Sequence, residues 1–327
     1  RRQGSLMEPV LCIERLSVGY VHRQAILLAV REVSLSVAAG ECVGIVGESG
    51  SGKTQVFMAA MRLLSERAEV RGSVRFAGAE LLTADVASLN RVRGSKLTMI
   101  FQDPTTSLTP HLQIGSQLAE VLVRHAGMSW RDAWIHAGRM LERVQVPEPQ
   151  RRLRQLPHEL SGGMRQRAMI AMSLLCEPLL LIADEPTSAL DVTVQAQIID
   201  LLRAVRAEFG MALVLISHDF AVVAGLADRI LVMYAGRVVE SGEAAQLLSH
   251  PRHPYAAELL KCIPSLSGPR LARLPTLIGQ PPKPGEVLEG CAFAPRCPRV
   301  AERCRTERPP LEGSAGSQVA CHFPLSS

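Results

Sequence analysis

The sequence predicts an α/β fold with a largely parallel sheet, and three observations carry that prediction. Strand-sized apolar runs alternate with helical patterns along most of the chain. A glycine-rich stretch, GESGSGKT from Gly47 to Thr54, lies between one such strand and one such helix. Strand patterning then disappears from about Gln113 to Leu160, where helix alone remains.

In chain order, strand-like runs open at VLCIERLSV, VREVSLSV and ECVGIVG. They recur at KLTMIF, LLLIAD, MALVLIS and RILVMY, each short, apolar and rich in branched residues, as a strand buried in a sheet requires. Helical periodicity fills KTQVFMAAMRLL, SQLAEVLVRHA and TVQAQIIDLLRAVRAEFG. The helical stretch between about 113 and 160 reads as a subdomain inserted into the sheet-bearing domain. Beyond about Ser249 the composition turns to proline, and IGQPPKPGE reads as a linker. There is no internal repeat and no low-complexity tract.

Composition bounds the function classes. At 327 residues, with 47% apolar and 20% charged, the chain has the make-up of about two ordinary globular domains. No apolar run approaches the roughly 20 residues a membrane span needs. The opening RRQGSLMEPV carries charge but no following apolar stretch, so no export signal is expected. Met7 is the expected start, residues 1–9 are an expected disordered lead-in, and the expected compartment is the cytoplasm. The net charge of +5 comes from scattered Lys and Arg with only 4% aromatics, a pattern that does not point to nucleic acid.

The stretch Gly47, Glu48, Ser49, Gly50, Ser51, Gly52, Lys53, Thr54 follows the strand CVGIV and opens a helix, the context in which backbone N–H groups turn inward around phosphate oxygens. Lys53 adds a full charge for the β- and γ-phosphates, and the Thr54 hydroxyl is placed for Mg²⁺. Later, the apolar run LLLIADEP ends in adjacent carboxylates, a costly arrangement unless a cation or a reaction uses them. Asp184 suits Mg²⁺, and Glu185 suits a water attacking in line. LSGGMRQRAMIAMSLL offers a second anion site by the same physics: Ser161 caps a helix whose first N–H groups Gly162 and Gly163 leave bare.

The ordered set of this P-loop, FQDP with Gln102, LSGGMRQR, LLLIADEP, SALD with Asp191 and LISHD with His218 resembles the ATP-binding cassette family over about Val10 to Gly242. That resemblance implies a RecA-like P-loop NTPase core, an antiparallel β subdomain and a helical subdomain. It places the nucleotide-binding domain at 10–249, with the helical part at about 103–163, and a C-terminal extension at 250–327. It also implies a head-to-tail ATPase dimer, in which Ser161, Gly162 and Gly163 of one subunit close over ATP on the P-loop of the other. Tyr20 matches the aromatic that stacks on adenine, His218 the residue that contacts the γ-phosphate, and Asp191 the loop that crosses the dimer interface. Gln102 matches the residue that senses Mg²⁺ and water, near where membrane subunits dock. Met164 departs from the family pattern, which has Gln there. Non-transport cassette ATPases usually carry long coiled-coil insertions or two cassettes in one chain, and this sequence has neither.

Eight cysteines fall into two groups. Cys12, Cys42, Cys176 and Cys262 stand singly in apolar or helical contexts, where a small buried hydrophobe is the ordinary reading. Cys291, Cys297, Cys304 and Cys321 cluster in a tail rich in Pro, Gly and Arg that cannot build much core alone. Spacing leaves zinc, an iron–sulfur cluster and free thiols open: the short CxxC knuckle common in zinc sites is missing, and four thiolates equally suit a cluster. Arg296, Arg299, Arg303, Arg305 and Arg308 lie among these cysteines, either to offset a cluster's negative charge or as a solvated basic face.

HPRHPYAAELL followed by this tail is similar to the C-terminal extension of the oligopeptide and dipeptide importer subfamily. Part of that subfamily resembles the chain in all four cysteines and implies a [4Fe-4S] cluster. The subfamily implies ATP and Mg²⁺ as ligands and a second ATPase subunit, expected to be a paralogue. It also implies two transmembrane permeases, a substrate-binding protein and a place on the cytoplasmic face of the bacterial inner membrane. Short peptides are the expected cargo, with nickel or metallophores as the alternative.

Overall fold

The computed structural model describes residues 9–326 apart from 23–24, 104–106, 189, 263–276, 284–285, 287–288 and 315. The expectation for residues 1–9 therefore lies outside the described residues, Pro9 excepted. Contacts divide the chain into two units interleaved in sequence. One takes in the chain up to Leu11, Val37–Glu41 and Phe76–Leu215; the other takes in Cys12–Ser36, Cys42–Arg75 and Ile216–Ser327.

In the first unit, Leu97–Ile100 and Leu180–Asp184 pair in parallel, from Leu97 opposite Leu180 to Ile100 opposite Ala183. Every residue of Leu180–Asp184 is buried, which is why the run is apolar without alternation. The helices Ile114–Ala126 and Trp130–Arg143 pack on one another across a turn at Gly127. Ser129 caps the second helix by accepting the Asp132 N–H at 3.1 Å. The helix Gly162–Leu174 packs on both. Its Arg167 ties it down by donating to the Val144 carbonyl at 2.8 Å.

In the second unit, Cys42–Val46 pairs in parallel with Arg229–Tyr234, Val43 opposite Arg229 through Val46 opposite Val232. Arg237–Glu243 then runs antiparallel to Arg229–Tyr234. The tail hairpin Glu312–Ser314 and Ser317–Val319 completes the row, pairing Glu240 with Val319 and Gly242 with Ser317. A separate sheet sets Leu11–His22 between Ala25–Val37 and Ala68–Phe76.

The cysteine-bearing tail is held to this unit by aromatic rings. Tyr255 and Phe293, both from the tail, pack on Tyr234 with ring centroids 4.6 and 5.4 Å away and lie 5.3 Å from each other. All three are at most 1% exposed, and each such pair contributes about 0.5–1.5 kcal/mol beyond its burial. Pro254 occupies the first turn of the helix Pro254–Lys261, where its missing N–H costs nothing, and His253 caps that helix by accepting the Tyr255 N–H at 3.0 Å.

Burial pushes the His253 imidazole down to about 4. The unfolded chain takes up that proton near 6.5, so the neutral ring contributes stability that is complete above that pH. The contribution is lost as pH falls toward 4, about 3 kcal/mol in all. Glu240, which accepts the Arg252 and His253 N–H groups at 2.7 and 2.8 Å, is pushed up by burial and opposes part of this loss. Urea unfolding between pH 7 and 4.5 is the check. The acid-side loss is expected to shrink by about 2 kcal/mol in His253→Asn, and an unchanged pH dependence removes His253 as its source.

Several elements differ from the sequence expectation. The helix predicted over KTQVFMAAMRLL stops at Ala60, because Arg62 turns to a left-handed φ of 51°. Ala68–Phe76, Arg237–Glu243 and the tail hairpin are strands that the apolar runs did not announce. Of the four solitary cysteines only Cys42 is fully buried; Cys12, Cys176 and Cys262 are partly exposed.

Candidate functional site

The second unit carries the glycine-rich loop. Its entry strand Cys42–Val46 is buried at every position, which fixes where the chain emerges. A Cβ at Gly47 would stand 2.2 Å from the Met233 carbonyl oxygen, and one at Gly52 2.5 Å from that of Ala29, with φ of 154° and 96°. No other residue type fits either place. The Ser51 N–H donates to the Glu48 carbonyl at 3.2 Å, closing the loop on itself. The Lys53 ammonium donates to the carbonyls of Gly47 at 2.7 Å and Glu48 at 3.0 Å, so a single cation ties the helix start back to the loop's entry. The helix Lys53–Ala60 starts here, with its N-terminal N–H groups facing the loop.

These residues fit a triphosphate on an observation of their own: the Ser51 hydroxyl, in a residue 4% exposed, finds no protein hydrogen-bond partner. A buried hydroxyl left so is costly until an acceptor arrives. Thr54, next to Lys53, is half-buried. Tyr20 is half-buried and its hydroxyl donates to Gln55 Oε1, with burial pushing its pKa up. His218 follows the buried strand Ala212–Ser217 and is exposed.

The first unit carries the carboxylates. Asp184 ends a buried strand at 2% exposure and Glu185 follows at 9%. Glu185 takes a left-handed φ of 48°, a conformation worth about 1–3 kcal/mol of strain in a side chain of this type. Its carbonyl accepts the Ser188 N–H at 3.2 Å, so a tight turn enforces the strain. Gln102 is exposed. Ser161 caps Gly162–Leu174, its hydroxyl accepting the Met164 N–H at 3.3 Å, while Gly162, Gly163 and Met164 are half-buried. Asp191 is an exposed cap for Val192–Phe209 and accepts the Val194 N–H at 3.0 Å. Within each unit these residues lie at strand ends and helix starts, the positions at which α/β folds present backbone and carboxylate groups to ligands.

In the tail, Cys291, Cys297, Cys304 and Cys321 line one cavity, together with His253 and Phe293. Gly290 allows it: a Cβ there would meet the Cys304 carbonyl oxygen at 2.3 Å, and the Cys291 N–H bonds to that oxygen at 2.8 Å. Burial, and then the neighbouring thiols, push the Cys291 thiol up; burial does the same for Cys297 and Cys321, with neighbouring thiols adding to it. None of the eight cysteines is joined in a disulfide. Among the described residues, no three His, Cys, Asp or Glu side chains converge into a metal-binding group as they stand.

Of the tail arginines, Arg299, Arg303, Arg305 and Arg308 are exposed, as a solvated basic face has them, and Arg296 departs from both readings. Arg296 is 4% exposed at its side chain and makes a bidentate pair with Glu48, at 2.6 and 2.9 Å, so it belongs to no solvated face. Arg303 is committed to Glu307 at 2.7 Å. The partnership of Arg296 with the phosphate loop, and that of the Tyr255 hydroxyl, which accepts the Glu48 N–H at 2.8 Å, were not foreseen. The only sequence signal was an arginine directly preceding a cysteine.

Comparison with known proteins bears on the whole chain. The family model for ABC transporters matches residues 30–188, and that for the C-terminal region of oligopeptide/dipeptide transporters matches residues 239–304. The chain is 48% identical over 299 residues to the oligopeptide transport ATP-binding protein OppD of Haemophilus influenzae, covering 91% of this chain and 92% of that protein. It is 47% identical to the protein of the same name from Salmonella typhimurium, covering 97% and 94%. Among solved structures, a dimeric ATP-binding cassette in a post-hydrolysis state with ADP and Pi aligns at a TM-score of 0.65 and 27% identity. That alignment spans 72% of this chain and 98% of the other.

Proposed function

The chain belongs to the ATP-binding subunits of ABC transporters, in the oligopeptide and dipeptide branch, and from that premise we propose that it hydrolyses ATP to drive import of short peptides. The observation that carries the reading is the glycine loop with its buried, unpartnered Ser51 hydroxyl and its gathered Lys53, in a chain nearly half identical to oligopeptide transport ATPases.

The roles we propose follow the family resemblance residue by residue. Gly47 to Thr54 cradle the phosphates, Lys53 neutralises them, and Tyr20 supports the adenine. Glu185 orients the attacking water and takes its proton, while His218 bonds the γ-phosphate. The resemblance implies that Thr54, Gln102 and Asp184 would each serve Mg²⁺, which would neutralise charge developing on the phosphoryl oxygens. Ser161, Gly162, Gly163 and Asp191 serve the facing subunit of an ATPase pair, a paralogue of this chain. ATP joins the two subunits, and its cleavage lets them part. That motion reaches cargo through two permease subunits fed by a substrate-binding protein. Among the described residues no helix is long and apolar enough to cross a membrane, which suits a subunit held peripherally at the cytoplasmic face of the inner membrane. Co-purification of the tagged chain with its membrane companions, followed by ATP-dependent uptake of labelled di- and oligopeptides into vesicles, tests the reading. ATP cleavage that drives nickel or metallophore uptake and no peptide uptake would overturn the cargo assignment.

The tail supports a second element. Four cysteines on one cavity have the donor set of a [4Fe-4S] cluster, and binding it would pin a segment too poor in apolar surface to order itself. Anaerobic purification is expected to give about four iron and four acid-labile sulfide per chain, with both lost in Cys304→Ser. Stoichiometric zinc without iron would assign the cysteines to zinc instead.

A further inference from the structure

The phosphate loop contains a carboxylate, Glu48, where an incoming triphosphate is least served by negative charge. The tail answers it. Arg296 lays both terminal nitrogens on the two Glu48 oxygens, at 2.6 and 2.9 Å. Two further donors are also committed, Nε to the Ile278 carbonyl at 3.0 Å and one terminal nitrogen to the Tyr234 hydroxyl at 3.2 Å. The guanidinium lies over the Tyr234 and Phe293 rings, 5.9 and 6.0 Å from their centroids, in the aromatic cluster that anchors the tail. At 4% exposure it is locked, while Glu48 is 25% exposed and turned toward it. Tyr255 holds the same residue by its backbone, accepting the Glu48 N–H at 2.8 Å. The Glu48 carbonyl in turn accepts the Ser51 N–H and the Lys53 ammonium.

We propose that Arg296 is a positioning residue for nucleotide binding: it neutralises and fixes Glu48, so that the loop carrying Lys53 presents a net attractive, preorganised surface to the triphosphate. Arg296 touches no substrate atom and acts through Glu48. It directly precedes Cys297 and follows Cys291 by five positions, so the segment that carries the cysteines also carries the guanidinium that holds the nucleotide loop, and the order of the tail becomes a condition of tight ATP binding.

The inference rests on the ATP-binding reading above, and one titration separates the two. Calorimetric titration of the full chain with ATP and Mg²⁺ is expected to give binding in the wild type and about tenfold weaker binding in Arg296→Ala, the loss of one bidentate charge-assisted pair. Adding Glu48→Gln to Arg296→Ala is expected to win back at least about threefold, since it removes the carboxylate left uncompensated beside the phosphates. A purely architectural Arg296 gives no such recovery, because Glu48→Gln repairs nothing in the tail. Wild-type affinity in Arg296→Ala, or a double variant no tighter than the single, overturns the proposal. If the wild type binds no ATP, both it and the ATP-binding reading fall. Should Arg296→Ala not fold, as judged by circular dichroism, Arg296→Gln takes its place with the same pair of expected results.

Discussion

Glu185→Gln is expected to lower the turnover of ATP by about 10²–10⁴-fold, the range a positioned general base contributes, while ATP affinity stays close to that of the wild type. The glutamine has the same shape and keeps one acceptor oxygen. It fits a side chain that is 9% exposed on a backbone already held at a φ of 48°. It cannot take a proton from water. With cleavage blocked and binding intact, ATP remains as the bond between the paired subunits, so the assembled pair accumulates. Phosphate release under saturating ATP, together with size-exclusion chromatography with and without ATP, checks both halves. A variant that turns over at the wild-type rate removes Glu185 from the chemistry and leaves its strained backbone without a function.

The features legible in the sequence were those enforced locally. The phosphate loop was readable because Gly47 and Gly52 sit where a Cβ collides with backbone, so the glycine spacing is the geometry. Leu180–Asp184 and Ala212–Ser217 were readable because strands buried on both faces leave unbroken apolar runs. Ala68–Phe76 was hidden because it is half exposed and carries charges that break its alternation. The tail strands were hidden because three residues each are too few to show a period, and their partner, Arg237–Glu243, lies some 75 positions earlier, as the Ser241–Gln318 bond spans 77. The same reason conceals the Arg296–Glu48 pair, 248 positions apart. Composition left the tail arginines either to offset a cluster's charge or to form a solvated face, whereas packing gives the most buried of them, Arg296, to the nucleotide loop. The tail, expected as a C-terminal extension, is part of the unit that bears the P-loop, joined there by its hairpin, its Tyr255 and its Arg296.

Lys53→Ala is expected to cut kcat/KM for ATP by about a thousandfold, from the loss of two charge-assisted hydrogen bonds at about 2 kcal/mol each. The loss differs in kind from that of Glu185→Gln. The ammonium, in a residue 6% exposed, now bridges the Gly47 and Glu48 carbonyls at 2.7 and 3.0 Å. Removing it takes away both the cation that meets the phosphates and the tie that holds the loop closed, so binding itself weakens and no ATP-bound pair accumulates. Arginine is no substitute: a planar fork does not fit a pocket shaped for a point charge between two carbonyls, and Lys53→Arg is expected to fall with Lys53→Ala. Equilibrium binding of ATP to the two variants, read beside Glu185→Gln, separates the loop that binds from the carboxylate that cleaves. Tight binding retained by Lys53→Ala would assign the triphosphate to a different surface of this chain.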